Sequence, residues 1–189
     1  MRVIAGSARG RRLKQLEGMD TRPTTDKVKE SIFNILQFEL EGRKVLDLFA
    51  GTGQLGIEAL SRGAESAVFV ERRNDAVRLI RENLVATDFT ACARVVPGDA
   101  LEFLAGTREK FDIILLDPPY EAGLLEPVLE RIAGFDILSP HGIIVAEHPD
   151  GRALPELAQP YSVYRTYRYG KIGLTIFRRA GEEREEETA

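Results

Sequence analysis

Four residues beyond the middle of the chain, Asp117-Pro118-Pro119-Tyr120, directly follow the largely apolar run of residues 111–116. Two prolines in succession stop a strand's hydrogen-bond ladder and stiffen the backbone. One carboxylate, a rigid run of carbonyls and one aromatic ring are therefore held together at a strand end. That set suits the exocyclic amine of a nucleic-acid base, whose lone pair is delocalised into its ring and is a poor nucleophile. The Asp117 carboxylate and the Pro118 carbonyl can take the two amine hydrogens and draw the nitrogen toward tetrahedral geometry. Tyr120 can stack on the flipped base, a contact worth about 1–3 kcal/mol. Taken alone, Asp-Pro-Pro is also an ordinary strand-terminating turn.

Three further acids stand where a ligand would meet them. Asp47-Leu48-Phe49-Ala50-Gly51-Thr52-Gly53 closes an apolar run with two glycines that let a turn approach a ligand. With Gly56 these form a loose dinucleotide-type glycine match, a weak signal. An acid just ahead of the glycines fits a cationic ligand better than a diphosphate, which it would repel. Glu71 ends the next run, the usual place for a carboxylate that holds ribose hydroxyls, and so points to a nucleoside without saying which one. Asp99-Ala100 ends the third. There Asp99 reads equally well as a partner for an adenine and as the cap of the helix after it.

The elements that must position these residues alternate. Short runs apolar on both faces, at 45–49, 67–71, 93–96, 111–116 and 142–147, are separated by helical patterns at 54–61, 75–83, 100–105 and 124–133. This is the signature of a parallel sheet covered on both sides, a doubly wound α/β fold. Two consecutive strands at 162–168 and 172–178, around Tyr169-Gly170-Lys171, must pair antiparallel, so the sheet ends in a hairpin. Tyr161, Tyr164, Tyr167 and Tyr169 read mostly as strand side chains facing core and solvent in turn. Ahead of the alternation, Thr25 or Asp26 caps a helix from Lys27 to about Leu40, with Val28, Ile32, Phe33, Leu36 and Leu40 on one face. Residues 1–14, around Gly6 and Gly10, read as a small hairpin. The layout is a domain over 1–180, with 1–24 as a basic N-terminal extension, and an acidic tail at 181–189 that reads as disordered.

The 189 residues carry a net charge of −4, and residues 182–187, with five acids and one base, account for all of it. The rest is balanced but uneven. Arg2, Arg9, Arg11, Arg12 and Lys14 have no acid among them, nor do Arg165, Arg168, Lys171, Arg178 and Arg179. Such segments can bind phosphate by counterion release, and a flexible N-terminal hairpin is the better RNA candidate. No apolar run is long enough to span a bilayer. The single cysteine, Cys92, makes no internal disulfide, and a cytoplasmic setting is the default. His141 and His148 lack the spacing of metal ligands, so no metal is expected.

In order, Asp47…Gly51-x-Gly53, Glu71, Asp99 and Asp117-Pro-Pro-Tyr resemble the class I methyltransferase series with its amino-methyltransferase tetrapeptide. With Arg22-Pro23-Thr24 and Asp26 placed ahead of them, the chain more closely resembles the RsmD family. These are bacterial methyltransferases of small-subunit (16S) ribosomal RNA that act on the N2 amine of a guanine. The likeness runs from the N-terminal hairpin to about residue 179. It implies a Rossmann-like fold and S-adenosylmethionine as cofactor, contacted by Asp47, Phe49, Gly51, Gly53, Glu71, Asp99 and Ala100. It places the guanine amine at Asp117, Pro118, Pro119 and Tyr120, with Arg22 and Thr24 at the pocket mouth. The partner it implies is 16S rRNA, within a small ribosomal subunit or an assembly intermediate, and a monomeric enzyme is expected. One departure is Arg73, where relatives often carry a second acid after the ribose-binding glutamate.

Other readings are a base amino-methyltransferase acting on DNA adenine or transfer-RNA guanine, a protein-glutamine methyltransferase, a nicotinamide oxidoreductase, and a silent RNA-binding scaffold. The catalytic fold uses nearly all the length, which disfavours an enzyme that must read DNA sequence by its own contacts. A glutamine enzyme would more usually carry Asn-Pro-Pro-Tyr, and an oxidoreductase a pyrophosphate loop without Asp47. An intact Asp-Pro-Pro-Tyr would be out of place in a scaffold.

Overall fold

Seven strands form one mixed sheet in the computed structural model, which describes residues 1–16 and 26–180. In chain order the elements are α1 (Asp26–Ile35), β1 (Lys44–Asp47), α2 (Gln54–Ser61), β2 (Ser66–Glu71), α3 (Asn74–Thr87) and β3 (Ala93–Pro97), followed by α4 (Ala100–Gly106), β4 (Phe111–Leu116), α5 (Leu125–Phe135), β5 (Leu138–Pro149), β6 (Tyr161–Tyr169) and β7 (Ile172–Arg179). The sheet order is β3-β2-β1-β4-β5-β7-β6. Strands β1 to β5 pair in parallel, while β7 runs antiparallel to β5 and β6 antiparallel to β7. This is the doubly wound sheet with a terminal hairpin that the sequence predicts.

Strand alternation sorts the core into two layers. Val45, Ala67, Phe69, Ile113, Leu115, Ile143 and Val145 pack with α1, α2 and α3 on one face. Their neighbours Leu46, Val68, Val70, Ile114, Leu116, Ile144 and Ala146 pack with α4 and α5 on the other. Along β1, β2, β4 and β5 both faces are therefore covered, while the edge strand β3 is only partly so. The strand order reverses between β1 and β4, and chains leaving their carboxyl ends turn to opposite faces, which opens a crevice there.

Several boundaries differ from the sequence pattern. Helix α1 stops at Ile35, although Leu36 and Leu40 are as buried as Val28 and Ile32. After one more helical bond (Leu36 N–H to Ile32 O, 3.1 Å), turns close at Glu39 and Arg43, and Gly42, at φ 67°, reverses the chain into β1. Strand β5 starts early, at Leu138. Phe111 faces Leu138 while Ile113 faces Ile143, so the segment holding Pro140 and His141 (φ 56°) bulges out of register. Arg22, Thr24, the capping role of Thr25 or Asp26, and the acidic tail lie outside what is described.

The N-terminal segment does fold back on itself, with Arg2 bridging Arg12. The expectation of a flexible hairpin is corrected by its packing. Val3, Ala8 and Leu13 are buried in the α1–α2–α3 layer. The Glu58 carboxylate accepts the backbone N–H of Ile4 (2.8 Å) and of Ala5 (3.0 Å), and Ser61 Oγ accepts Ala8 N–H (2.9 Å) while donating to Ala5 O (2.6 Å). Asn83 holds Lys14 through both its main-chain groups. Gly6 lies so close to α2 that a Cβ there would meet Ser61 O at 1.7 Å. Lys29 lies 3.9 Å from Glu58, both side chains essentially inaccessible, and donates to Arg2 O at 2.8 Å. Apolar burial and an acid on α2 thus seat the segment.

Glu58→Ala should therefore destabilise the fold by about 3–5 kcal/mol, because it removes the carboxylate that answers a buried ammonium and two backbone donors. Urea unfolding checks this, and a loss below about 1 kcal/mol, the range of an exposed pair, would contradict the account.

Candidate active site

A cavity of roughly 680 Å³ opens over the carboxyl ends of the parallel strands. Asp47, Phe49, Gly51, Glu71, Asp99, Ala100, Asp117, Pro118, Pro119 and Tyr120 all line it. Of the residues expected to contact cofactor or base amine, Gly53 alone does not. It sits at φ 80° ahead of α2, where a Cβ would press on Ile80 Cγ2 at 3.3 Å, so its part is to make the turn and let helix and loop close up. Gly56 likewise packs: a Cβ there would strike Phe69 Cε1 at 2.3 Å.

The first two acids are built into the loop. Asp47 is 2% exposed, and its Oδ2 accepts the Gly56 N–H at 2.9 Å, inside the first turn of α2. Glu71 accepts Gly51 N–H at 2.9 Å through one oxygen and Arg73 N–H at 2.8 Å through the other. The carboxylate expected to meet ribose thus also locks the Gly51 turn, which stands at φ 54°. Arg73, the departure from the pattern, turns its guanidinium to Asp75. Asp99 takes the capping role of its two readings. Its Oδ1 caps α4 by accepting from Leu101 N–H (2.8 Å) and Glu102 N–H (3.3 Å), and the residue lines the cavity as well.

Crowding of acids has an electrostatic cost. Burial pushes the Asp47 carboxyl up to about 7; the Gly56 N–H opposes that, and the charges of Asp117 and Glu71 add to it. The arrangement repels anions and is relieved by a cation or by hydroxyl donors.

At the other end of the cavity, Pro119 (φ −56°, ψ 124°) leads into a single 3₁₀ turn, Tyr120–Ala122. The Tyr120 hydroxyl donates to Glu147 Oε1 at 2.8 Å, and Glu147 is 5% exposed at the end of β5. Glu147 lines the same cavity, a residue the sequence reading passed over. Its signal was the one that marked the others, an acid closing an apolar strand. Gln54, Met1, Gln15 and Leu16 also reach the cavity, and only the docking of the N-terminal segment brings the last three there.

The basic segments fare differently. Arg2, Arg9, Arg11 and Arg12 are exposed on the docked hairpin, whose two ends form part of the cavity wall. In the C-terminal segment, Arg168 pairs with Asp150, Arg178 with Glu39 and Arg179 with Asp136, which neutralises much of that cluster. Tyr161 is buried while Tyr164 is 40% exposed, stacked under Arg178. His148 is buried against Thr175 and the Pro149 carbonyl, and among the described residues no three His, Cys, Asp or Glu side chains group as metal ligands. No described helix is long and apolar enough to cross a membrane.

Comparison with known proteins gives consistent likenesses. The family model described as "Conserved hypothetical protein 95" matches residues 1–178. YlbH of Bacillus subtilis is 46% identical over 184 residues, covering 96% of this chain and all of that one. Ribosomal RNA small subunit methyltransferase D of Escherichia coli is 34% identical over 182 residues, covering 96% of this chain and 91% of the relative. The solved structure of yhhF from Escherichia coli superposes with a TM-score of 0.87 at 32% identity, over 95% of this chain and 98% of that one.

The raised Asp47 pKa sets a pH dependence. The unfolded carboxyl ionises near 3.8 and the folded one near 7, so the fold loses stability as pH climbs between them. Asparagine keeps an oxygen for the Gly56 N–H without the charge. Asp47→Asn should therefore raise the melting temperature by several degrees at about pH 8, and by much less at about pH 5. Equal shifts at both pH values would contradict the burial argument.

Proposed function

Because the chain belongs to the RsmD family, we propose that it transfers a methyl group from S-adenosylmethionine to the N2 amine of one guanine in small-subunit (16S) ribosomal RNA. The observation that carries this is the union, in one cavity, of an acid-lined nucleoside half with the Asp-Pro-Pro-Tyr half across the β1/β4 switch point. Its volume lies within the range of small-molecule sites.

The donor set fits the cofactor. Asp47 and Glu71, close enough to raise one proton affinity through the other, favour a ligand with cationic centres. Glu71 is placed for ribose hydroxyls, and Asp99 with Ala100 for the adenine. A dinucleotide fits less well, because Asp47 already occupies the Gly56 N–H at the start of α2, a place where pyrophosphate would seek donors. When bound, S-adenosylmethionine supplies a methyl group already activated on a sulfonium, so the protein needs no nucleophile of its own.

What the chain contributes is position. The Asp117 carboxylate and Pro118 carbonyl hold the amine hydrogens and turn the nitrogen lone pair toward the nucleoside half, while Tyr120 stacks on the base. Orientation of this kind supplies up to about 7–11 kcal/mol of a barrier. Asp117 then receives the proton that the methylated nitrogen sheds, or passes it to water. Arg2, Arg9, Arg11 and Arg12, exposed beside the cavity wall, grip RNA phosphates. The RNA is presented within a small subunit or its assembly intermediate, to a monomeric cytoplasmic enzyme that uses no metal.

The test is transfer of labelled methyl to undermodified small subunits, free 16S RNA and DNA, with nucleoside mass spectrometry of the products. Wild type should yield N2-methylguanosine in RNA. Asp117→Ala should lose roughly a hundredfold or more in turnover while cofactor affinity changes little. Charge reversal at Arg9 and Arg12 should raise the KM for RNA and flatten its salt dependence. Methyladenine in DNA as the only product, or no transfer despite cofactor binding, would overturn the assignment.

A further inference from the structure

Two carboxylates stand on the base side of the cavity, and the proposed reaction uses only one. Leu116 of β4 pairs in register with Ala146 of β5. Asp117 and Glu147 are the next residues on these neighbouring strands, their main chains about one strand spacing (~4.8 Å) apart across the sheet. Both line the cavity, and Glu147 is 5% exposed. The Tyr120 hydroxyl, donating at 2.8 Å to Oε1, fixes where the Glu147 carboxylate sits. A carboxylate offers about four lone-pair sites, more than one hydroxyl fills.

We propose that Glu147 selects guanine, by accepting the ring N1–H that flanks the N2 amine. The inference rests on the reading that Asp117 and the Pro118 carbonyl hold an exocyclic amine. Guanine shows N2–H₂ and N1–H as consecutive donors on one edge, so two adjacent acidic acceptors complement it. The adenine amine is flanked by the N1 and N7 lone pairs, and the cytosine amine by the N3 lone pair. Either base would turn a lone pair toward a buried carboxylate, leaving both groups unsatisfied where desolvation makes that costly. A site built to pair a substrate N–H rejects an analogue lacking it by factors of up to about 10⁴–10⁵. The discrimination then comes from this chain's own strand end.

The experiment replaces the guanine that wild type methylates with 2-aminopurine, in RNA assembled by ligation. This base keeps the N2 amine but has a lone pair at N1 and lacks the 6-oxygen, so the comparison between wild type and variant isolates the N1 contact. Wild type should favour guanine in kcat/KM by about a hundredfold or more. Glu147→Gln still accepts the tyrosine hydroxyl and can donate to N1. It should lose activity on guanine, gain on 2-aminopurine and shrink the ratio at least about tenfold, with cofactor affinity by calorimetry unchanged. An unchanged ratio in Glu147→Gln overturns the proposal, as does a loss of activity on guanine with no gain on 2-aminopurine, since the glutamate would then only anchor the tyrosine. Should Glu147→Gln fail to fold, equal wild-type rates on the two bases still overturn it. Absence of any N2-methylguanine with wild type would instead sink the amine-holding reading beneath it.

Discussion

A carboxylate with almost no solvent contact closes β1, and much of the surrounding architecture answers to it. Asp47 ties the end of the strand to the first turn of α2 through the Gly56 N–H, and that hydrogen bond requires Gly56 to lie flat against Phe69. The loop between must turn sharply, which puts Gly51 and Gly53 at positive φ and brings the Gly51 N–H onto Glu71. One buried charge thus sets the shape of the loop, the pitch of α2 against the sheet and the sign of the potential over the crevice. Its pKa near 7 comes from burial and from the charges of Asp117 and Glu71 beside it, which a cation would offset.

The second constraint is the reversal of strand order between β1 and β4. It makes residues far apart in the chain neighbours, since Asp47 pairs in register with Leu115, two residues before Asp117. A rigid proline pair holds the far side of the crevice while a glycine-rich turn holds the near side. The N-terminal segment completes the wall because Glu58 and Ser61 on α2, and Asn83 on α3, offer polar anchors to its backbone. The hairpin arginines therefore ride on a fixed platform at the rim rather than on a loose arm.

Much of this was legible in the sequence because it rests on local patterns. Runs apolar on both faces gave the parallel strands, and acids at their ends gave the cavity lining, Asp47, Glu71, Asp99 and Asp117 together. What escaped depended on three-dimensional neighbours. The docking of residues 1–14 turns on Glu58, which along the chain is only an acid in a helix, and on a buried Lys29, a charged residue that shares the apolar face with Ile32, Phe33 and Leu36. The C-terminal arginines looked free because Asp136, Asp150 and Glu39, their partners, lie elsewhere in the chain. Gly53 had the right spacing for a ligand contact, yet it does not line the cavity, and a Cβ there would press on Ile80. Glu147 was missed although it carried the same signal as the other strand-end acids, since only the β4–β5 register shows that it stands beside Asp117.

The central claim, that the acid-lined crevice is built for a cationic nucleoside cofactor, is tested most directly by calorimetric titration near pH 7. S-adenosylmethionine and a nicotinamide dinucleotide would be titrated separately, in two buffers of different ionisation heat. The account predicts one site for S-adenosylmethionine, none for the dinucleotide, and proton release on binding as Asp47, with its pKa near 7, is driven to its charged form. Binding of the dinucleotide instead, or S-adenosylmethionine binding with proton uptake, would contradict it.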